Sequence, residues 1–192
     1  MNDRIFDLEP AAISMEAVVS AIAAQQLEAA TPCDDMTVGQ LLAHVAGLTE
    51  AFRRAATKES IGASASPTQG LPDLPEDWRG RIPAQLKALV SAWRDPAAWE
   101  GDTEAGGVTL PATEMARVAL NELIIHTWDL ARATGQPCCP DSEDMTILVD
   151  WLRTTPEEGT PGLFGPVVPI PDNAPTLDKL LGLTGRDPTW TR

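Results

Sequence analysis

The sequence is poor in the residues that most often carry chemistry or attract charged partners. Its 192 residues include only two histidines, His44 and His126, and 14 basic side chains stand against 28 acidic ones. The formal net charge of −14 is unfavourable for binding nucleic-acid phosphates or anionic lipid. No apolar run approaches the length that a bilayer-spanning helix needs. We therefore expect no nucleic-acid partner and no association with a membrane.

Cysteines are also few, and their arrangement argues against a disulfide framework. The three are Cys33, Cys138 and Cys139, an odd number without a Cys-x-x-Cys pair, which fits a reducing compartment. The first residues lack the basic and apolar segments of a secretory signal, so we expect a cytoplasmic protein. Cys33 precedes a predicted helix, where a thiolate is favoured; the alternative is a partly buried thiol in a turn.

Apolar residues make up 43% of the chain, and they recur at helical spacing. This composition predicts one folded domain over residues 1–192. Stretches rich in Ser, Pro and Gly separate the periodic segments, and we interpret residues 60–75 as a loop or lid and residues 101–110 as a short extended connection. The predicted helices cover 10–26, 37–58, 83–95, 111–134, 142–154 and 176–183.

The helical segments predict an all-α protein, an up-and-down four-helix bundle with additional C-terminal helices. The Pro-rich tail, residues 156–192, is irregular apart from the last short helix. Thr37 and Gln40 have the spacing of a capping box that opens the second helix. In the first helix we expect a buried stripe that consists of Ile13, Val18, Val19 and Ile22.

The fourth helix carries an ionisable pair on its apolar face. At about 100° per residue, Glu122 lies about 40° from His126, on the same face as Ala119 and Met115. Burial of a carboxylate is costly unless it is paired or bound to a cation. Side chains four residues apart on a helix stand close enough to share one ion. The two residues are therefore candidate metal ligands, although a simple hydrogen-bonded pair is the alternative.

His44 on the second helix is the third candidate ligand. The small residues Gly47 and Ala51 flank it, which leaves room for a cavity. Two imidazoles and one carboxylate suit Zn²⁺, and also Ni²⁺, Fe²⁺ or Mn²⁺, with one position open to water or substrate. Asp129, one turn after His126, is a candidate base or a hydrogen-bond partner of a ligand. Its alternative is a surface carboxylate near Arg132.

Three segments of the chain resemble a known family. They are Thr31-Pro32-Cys33-Asp34-Asp35-Met36-Thr37-Val38 with the following Leu41-Leu42-Ala43-His44, then Asn121-Glu122-Leu123-Ile124-Ile125-His126-Thr127-Trp128-Asp129-Leu130-Ala131, and finally Phe164-Gly165-Pro166 with Leu180-Leu181-Gly182-Leu183-Thr184-Gly185-Arg186-Asp187-Pro188. The first two resemble motifs of the mycothiol-dependent maleylpyruvate isomerase family, which belongs to the DinB-like metal-binding four-helix bundles. The third resembles the tail of an actinobacterial metal-binding subgroup.

The resemblance implies a divalent metal, usually zinc, held by His44, Glu122 and His126. It also implies a low-molecular-weight thiol, mycothiol, as a possible cosubstrate. Two features depart from the family pattern. Met36 stands where the family commonly has Trp, and the tail after Pro156 is shorter than the C-terminal domain that contributes to the isomerase's activity. We therefore do not expect maleylpyruvate isomerisation.

The leading hypothesis from sequence is a metal-dependent thiol S-transferase that acts on a small electrophile, with Asp129 as its catalytic residue. The partners would be a small-molecule thiol and the electrophile. A non-catalytic metal-binding bundle, associated with stress or with protein interactions, is the alternative. A third possibility is a structural bundle in which Glu122 and His126 only pair with each other. Tryptophan residues on the bundle faces suggest a homodimer.

Overall fold

The fold is predominantly helical, as the sequence predicts, and is seen in a computed structural model that describes residues 6–33, 36–59, 61–62, 73–160 and 164–192. Two short 3₁₀ helices, at Ala24–Gln26 and Pro96–Trp99, link longer elements. The helices and strands are α1 (Glu9–Ala21), α2 (Val38–Ala56), α3 (Trp78–Trp93), β1 (Asp102–Ala105), β2 (Val108–Pro111), α4 (Ala112–Thr134), α5 (Ser142–Leu152) and α6 (Thr176–Leu183).

The first four helices form a closed ring around one apolar core. α1 packs against α3 and α4, and α2 packs against the same two helices from the other side. α4 is the most deeply buried helix, because it contacts α1, α2, α5 and the β-hairpin. Polar side chains on α4 therefore lie inside the protein, which is where the predicted ligands Glu122 and His126 are located.

Local sequence signals define the ends of the two helices that carry the predicted ligands. The capping box of α2 is confirmed: the backbone N–H of Gln40 donates to Thr37 Oγ1, and the backbone N–H of Thr37 donates to Gln40 Oε1. α4 ends at Thr134, and the next residue, Gly135, has a φ of 73°, which is left-handed and is typical of glycine at this position. These signals predict where the helices begin and end but not which faces meet.

Three predictions about the first and third helices are wrong. Val18, Val19 and Ile22 of the predicted stripe are buried, but Ile13 is 60% exposed. At about 100° per residue, Ile13 lies about 140° from Val18 around α1, away from the buried face. That helix also ends at Ala21 rather than near Gln26. α3 begins at Trp78, one turn before the predicted start at Pro83, which lies inside the helix. Burial of Trp78 and Ile82 holds this additional turn in place.

Residues 101–110, predicted as an extended connection, contain most of a β-hairpin. β1 and β2 pair antiparallel, with Thr103 opposite Leu110. The two residues at the turn, Gly106 and Gly107, have φ values of 59° and 77°, as a tight hairpin turn requires. The hairpin packs against α2 and α4, and the hydroxyl of Thr103 donates to the carbonyl of Ala55.

The C-terminal segment returns to the end of α4. The guanidinium of Arg132 donates to the carbonyls of Trp190 and Pro188 at 3.0 and 3.2 Å. Arg192 donates in turn to the carbonyl of Ala133 at 3.1 Å. α6 packs on α5. These contacts hold the irregular tail against the bundle.

Two further sequence predictions concern residues 60–75 and membrane insertion. The predicted loop or lid lies outside the described residues, apart from residues 61–62 and 73–75. Within the described ranges, every helix is too short or too polar to cross a bilayer.

Candidate metal centre and cavity

The three predicted ligands lie together between α2 and α4. Glu122 Oε2 is 2.9 Å from His126 Nε2 and 3.8 Å from His44 Nε2. The two imidazole rings are nearly perpendicular, with centroids 5.1 Å apart. One ligand atom from each residue lies within 4.8 Å of the other two. The arrangement brings two imidazole nitrogens and a carboxylate oxygen around one point.

Burial and charge act in opposite directions on the two ionisable groups of α4. Burial raises the pKa of Glu122, but the positive charge of His126 and the hydrogen bonds from His126 and His44 hold it well below its usual range. Burial lowers the pKa of His126, but the charges and hydrogen bonds of Glu122 and Asp129 raise it to about 9. Without a bound ion, the protein therefore favours an ionised glutamate beside a protonated histidine.

Asp129 is completely buried and contacts the opposite side of His126. Its Oδ2 lies 3.0 Å from His126 Nδ1. A carboxylate in this position holds the proton on Nδ1 and leaves Nε2 free to bind an ion. The alternative of a surface carboxylate near Arg132 is wrong, because Asp129 is completely buried. The guanidinium of Arg132 donates instead to carbonyls of the C-terminal tail.

Arg186 from the C-terminal tail completes this arrangement and was not identified from sequence as a site residue. Its Nη2 donates to Asp129 Oδ2 at 3.1 Å and to Cys33 Sγ at 3.4 Å, and its Nη1 donates to the carbonyl of Thr184. The only sequence signal was its place in the tail that resembles the actinobacterial subgroup. No periodicity relates it to Asp129, which is 57 residues away.

A second group of potential ligands consists of Cys33, His126 and Asp129, whose ligand atoms also lie within 4.8 Å of one another. The guanidinium of Arg186 touches two of its members, so a positive charge already lies there. This group is therefore a poor site for a further cation. Cys33 is a half-buried thiol in a turn, as one of the two sequence readings predicts.

Cys138 and Cys139 lie in the loop between α4 and α5 and are not joined in a disulfide. Burial, followed by the proximity of Cys139 and Asp129, raises the pKa of Cys138 to about 11. Since the thiolate is the reactive form, Cys138 is a poor nucleophile near neutral pH.

A cavity of about 530 Å³ opens beside the three ligands. This volume is in the range of small-molecule sites. As the sequence predicts, small residues of α2 provide the space next to His44. The lining comes from α2 (Ala43, His44, Gly47, Leu48, Ala51, Phe52), the hairpin (Ala105, Gly106, Val108, Leu110), α4 (Met115, Val118, Asn121, Glu122, Ile125, His126) and three other segments (Cys33, Phe164, Thr184, Arg186).

The donor set fits a divalent transition-metal ion. Nitrogen and carboxylate ligands in this number suit Zn²⁺ and related ions, and they leave a position open toward the cavity. Partial exposure of His44 and Glu122, at 28% and 16% of their side chains, gives an ion a path to the site. The arrangement can therefore hold an ion at the wall of a chamber large enough for a small molecule.

Comparison with known proteins identifies similar sequences and a similar fold. A family model described as the mycothiol maleylpyruvate isomerase N-terminal domain matches residues 8–131. Two uncharacterized proteins from two strains of Mycobacterium tuberculosis are each 28% identical over 187 residues, covering 88% of this chain and 90% of the relative.

Crystal structures of a mycothiol-dependent maleylpyruvate isomerase and of a mutant of it share the fold. Their TM-scores are both 0.59, at 19% and 18% sequence identity, and the match covers 76% of this chain. The match covers 66% of the isomerase, slightly less than two thirds of its length. At this identity the likeness supports the architecture and not the reaction.

Proposed function

Because the chain belongs to the mycothiol maleylpyruvate isomerase N-terminal domain family, we propose that it is a metal-dependent enzyme that transfers a low-molecular-weight thiol, mycothiol in the first instance, to a small electrophile. The single observation that carries the proposal is the convergence of His44, Glu122 and His126, with ligand atoms within 4.8 Å, at the wall of a cavity. A purely structural pair would need neither the second histidine nor the cavity.

In this proposal His44, Glu122 and His126 hold a divalent ion, with Zn²⁺ the first candidate and Ni²⁺, Fe²⁺ or Mn²⁺ the others. The ion supplies positive charge that favours the thiolate form of a thiol near neutral pH. The thiolate sulfur forms a bond to an electrophilic carbon, and the leaving group departs with its electron pair. The thiol's proton passes to solvent.

Asp129 is proposed to act through His126 rather than on the substrate. Its two oxygens face His126 Nδ1 and the guanidinium of Arg186, with Oδ2 at 3.0 and 3.1 Å from those groups. A carboxylate held in this way orients the imidazole. Asp129 is completely buried and does not line the cavity, so it does not contact a substrate there. Of the two roles that the sequence leaves open for Asp129, a base or a hydrogen-bond partner of a ligand, the proposal takes the second.

The cavity has the properties that such a reaction needs. Apolar side chains such as Val118 and Ile125 form much of its wall, and they limit the access of water to the reacting groups. Isomerisation of maleylpyruvate is not proposed, because the structural match leaves about a third of the isomerase's length uncovered. The cytoplasmic location and the homodimer expected from the sequence stay predictions.

Two measurements on one preparation test the proposal. Protein purified without a metal-affinity tag is first analysed for its metal content, and we expect close to one divalent ion per chain. It is then incubated with mycothiol and 1-chloro-2,4-dinitrobenzene as electrophile, and the loss of free thiol is followed. We expect loss faster than the uncatalysed reaction, and we expect it to stop when the metal is removed with a chelator.

His126→Ala should abolish metal retention and thiol consumption together, and Cys139→Ala is the matched control that should change neither. Circular dichroism checks that both variants keep their helices. Retention of a full metal complement by His126→Ala would show that the ligand assignment is wrong. Metal without catalysis toward a panel of electrophiles would instead favour a non-catalytic metal-binding bundle.

A further inference from the structure

The cavity contains little charge that a bound molecule could use. Apart from the two histidines, its described lining has two charged residues, Glu122 and Arg186. Glu122 belongs to the ligand set, and the guanidinium of Arg186 is already paired with the carboxylate of Asp129 at 3.1 Å. Among the residues that the structure does not describe, Arg4 is the only basic one. The described wall therefore offers no unpaired cation to a negatively charged substrate.

The charges of the ligand set also balance in the state that the proposed reaction needs. Imidazoles are neutral when they bind a metal ion, so the charges of a divalent ion, the carboxylate of Glu122 and one thiolate sulfur sum to zero. The charges of Arg186 and Asp129 cancel in the same way. A further negative charge on the electrophile would leave water without gaining a counter-charge, and this desolvation is costly. The balance favours an electrophile that carries no charge.

The remaining polar side chains of the wall are engaged within the protein or buried. The hydroxyl of Thr184 donates to the carbonyl of Leu181 at 3.0 Å, and Sγ of Cys33 accepts a hydrogen bond from Arg186. Asn121 is only 2% exposed. The rest of the described lining consists of apolar side chains and glycine. Burial of apolar surface is therefore the main source of binding energy that the cavity offers to the electrophile.

The β-hairpin places one exposed apolar side chain in this wall. Val108 on β2 is 46% exposed and lines the cavity. Its neighbour Thr109 is also exposed but does not line the cavity, since successive side chains of a strand point to opposite faces. Val108 is therefore a position at which one substitution can add a charge to the cavity wall without burying it.

We propose that the molecule that receives the thiol is an uncharged, largely apolar electrophile, and that Val108 contributes to this specificity by keeping the exposed part of the wall free of charge. The inference rests on the proposed function, since it takes the electrophile to occupy the cavity beside the three ligands. It adds the substrate class that the proposed function leaves open. Electrophiles that carry a carboxylate are the class that it excludes.

Two electrophiles that differ by one charge test the substrate class. Methyl 4-(chloromethyl)benzoate is neutral and 4-(chloromethyl)benzoate is an anion, and in both the thiolate sulfur displaces chloride from the same benzylic carbon. The metal-loaded protein is assayed with mycothiol and each electrophile in about 0.5 M salt, which screens the long-range effect of the net charge of −14. Relative to the uncatalysed reactions, we expect kcat/KM for the ester to exceed that for the anion about 10-fold or more.

A positive charge on the wall should reduce this preference. At about 0.15 M salt, where ion pairs are less screened, we expect Val108→Lys to lower the ester-to-anion ratio of kcat/KM about 2- to 5-fold, as an exposed ion pair would. Thr109→Lys adds the same charge to the same strand outside the cavity, so it should leave the ratio unchanged. Val108→Met lengthens the side chain without a charge and should also leave it unchanged. Circular dichroism checks that all three variants are folded.

A binding measurement without reaction separates the substrate class from the proposed function. The unreactive analogues methyl 4-methylbenzoate and 4-methylbenzoate are titrated with chelator-treated protein and followed by ligand-observed NMR. The chelator ensures that the carboxylate does not bind through a metal ion. We expect the Kd of the neutral analogue to be lower than that of the anion about 10-fold or more, and Val108→Lys should narrow the difference.

Each outcome bears on one of the two proposals. If the anion reacts as fast as the ester, or its analogue binds as tightly, the substrate class is overturned and thiol transfer stands. Equal effects of Val108→Lys and Thr109→Lys would assign the preference to the net charge of the protein and overturn the role of Val108. If neither electrophile is consumed faster than without protein, thiol transfer is overturned, and the titration then decides whether the cavity itself prefers uncharged molecules.

Discussion

At the scale of single residues, the candidate centre is a buried row of alternating charges. Arg186 contacts Asp129, Asp129 contacts His126, and His126 contacts Glu122, with the closest atoms of each pair 2.9–3.1 Å apart. Each carboxylate lies next to a group that is or can be cationic, which offsets the cost of burying it. Removal of one member leaves its neighbour buried without compensation, so these residues are coupled.

We expect Arg186→Ala to weaken metal binding even though Arg186 is not a proposed ligand. Loss of the guanidinium leaves Asp129 free to shift away from His126 Nδ1, and loss of such indirect support typically costs about 10- to 100-fold in metal affinity. Competition with a chromogenic chelator measures the affinity. Arg132→Ala is the control, because Arg132 also binds the tail but does not contact Asp129. Equal losses in both variants would assign the effect to the docking of the tail.

The pKa of His126 predicts how the metal-free protein responds to pH. Its folded-state pKa of about 9 is above the ordinary value of 6.5. The stabilisation that protonated His126 gives to the folded state is therefore fully present below pH 6.5 and is lost as the pH rises through about 9. The Tm of chelator-treated protein, measured by thermal denaturation, should fall as the pH rises across that range. His126→Gln should flatten the slope, and an unchanged slope would mean that His126 is not the titrating group.

At the scale of elements, the start of α5 contains a helix-capping residue, Asp141, and a buried carboxyl group, that of Asp144. Asp141 Oδ1 accepts the backbone N–H groups of Glu143 and Asp144, which caps the helix. Oδ2 of Asp144 is buried and has no hydrogen-bond partner among the described residues. Burial, and then the charges of Asp141, Glu143 and Asp7, raise the pKa of Asp144 to about 6.

Asp144→Asn should stabilise the protein at pH 7. In the wild type, the folded state binds the proton more tightly than the unfolded state, whose pKa is near 3.8, so stability falls as the pH rises from about 4 to about 6. The substitution removes the buried charge, and each kcal/mol gained should raise the Tm by about 2–4 °C. The gain should be absent at pH 4, where the carboxyl is protonated.

Asp150→Asn in the same helix is the control for that comparison. Asp150 is mostly exposed and pairs with Arg153. Its substitution should change stability by less than about 0.5 kcal/mol at either pH. A gain at pH 7 as large as that of Asp144→Asn would assign the effect to the overall negative charge instead of to the burial of Asp144.

At the scale of the whole molecule, the C-terminal segment closes one side of the cavity and supplies Arg186. Close backbone approaches hold this segment together. The backbone N–H of Val168 donates to the carbonyl of Gly182 at 2.9 Å, and a Cβ at Gly182 would lie 2.6 Å from the carbonyl oxygen of Val168. The position of Arg186 therefore depends on the close backbone contact at Gly182 in α6.

Gly182→Ala should destabilise the tail and weaken metal binding together. Overpacking of this kind typically costs about 1–3 kcal/mol, and displacement of the tail would move Arg186 away from Asp129. Gly80→Ala is the control, since a Cβ there meets nothing within 4 Å and alanine should stabilise the helix by about 0.5–1 kcal/mol. Thermal denaturation and chelator competition measure the two effects. Full metal affinity in Gly182→Ala would show that the position of the tail does not affect metal binding.

The sequence by itself determined the helical class, most helix ends and the inward face of α4. These features depend on short-range physics: helical periodicity, the hydrogen bonds of Thr37 with Gln40, and the left-handed backbone of Gly135. The spacing of Glu122 and His126 also predicts their 2.9 Å contact, since residues four apart on a helix are neighbours. The assignment of His44 as the third ligand went beyond local rules and used its position beside small residues.

Only the tertiary structure decided which long-range partners meet. The pairing of Asp129 with Arg186, the single unsatisfied oxygen of Asn121 among the described cavity residues and the place of the hairpin beside α2 and α4 all depend on how elements distant in the chain pack. Such contacts depend on shape and burial, which leave no periodic trace in the sequence.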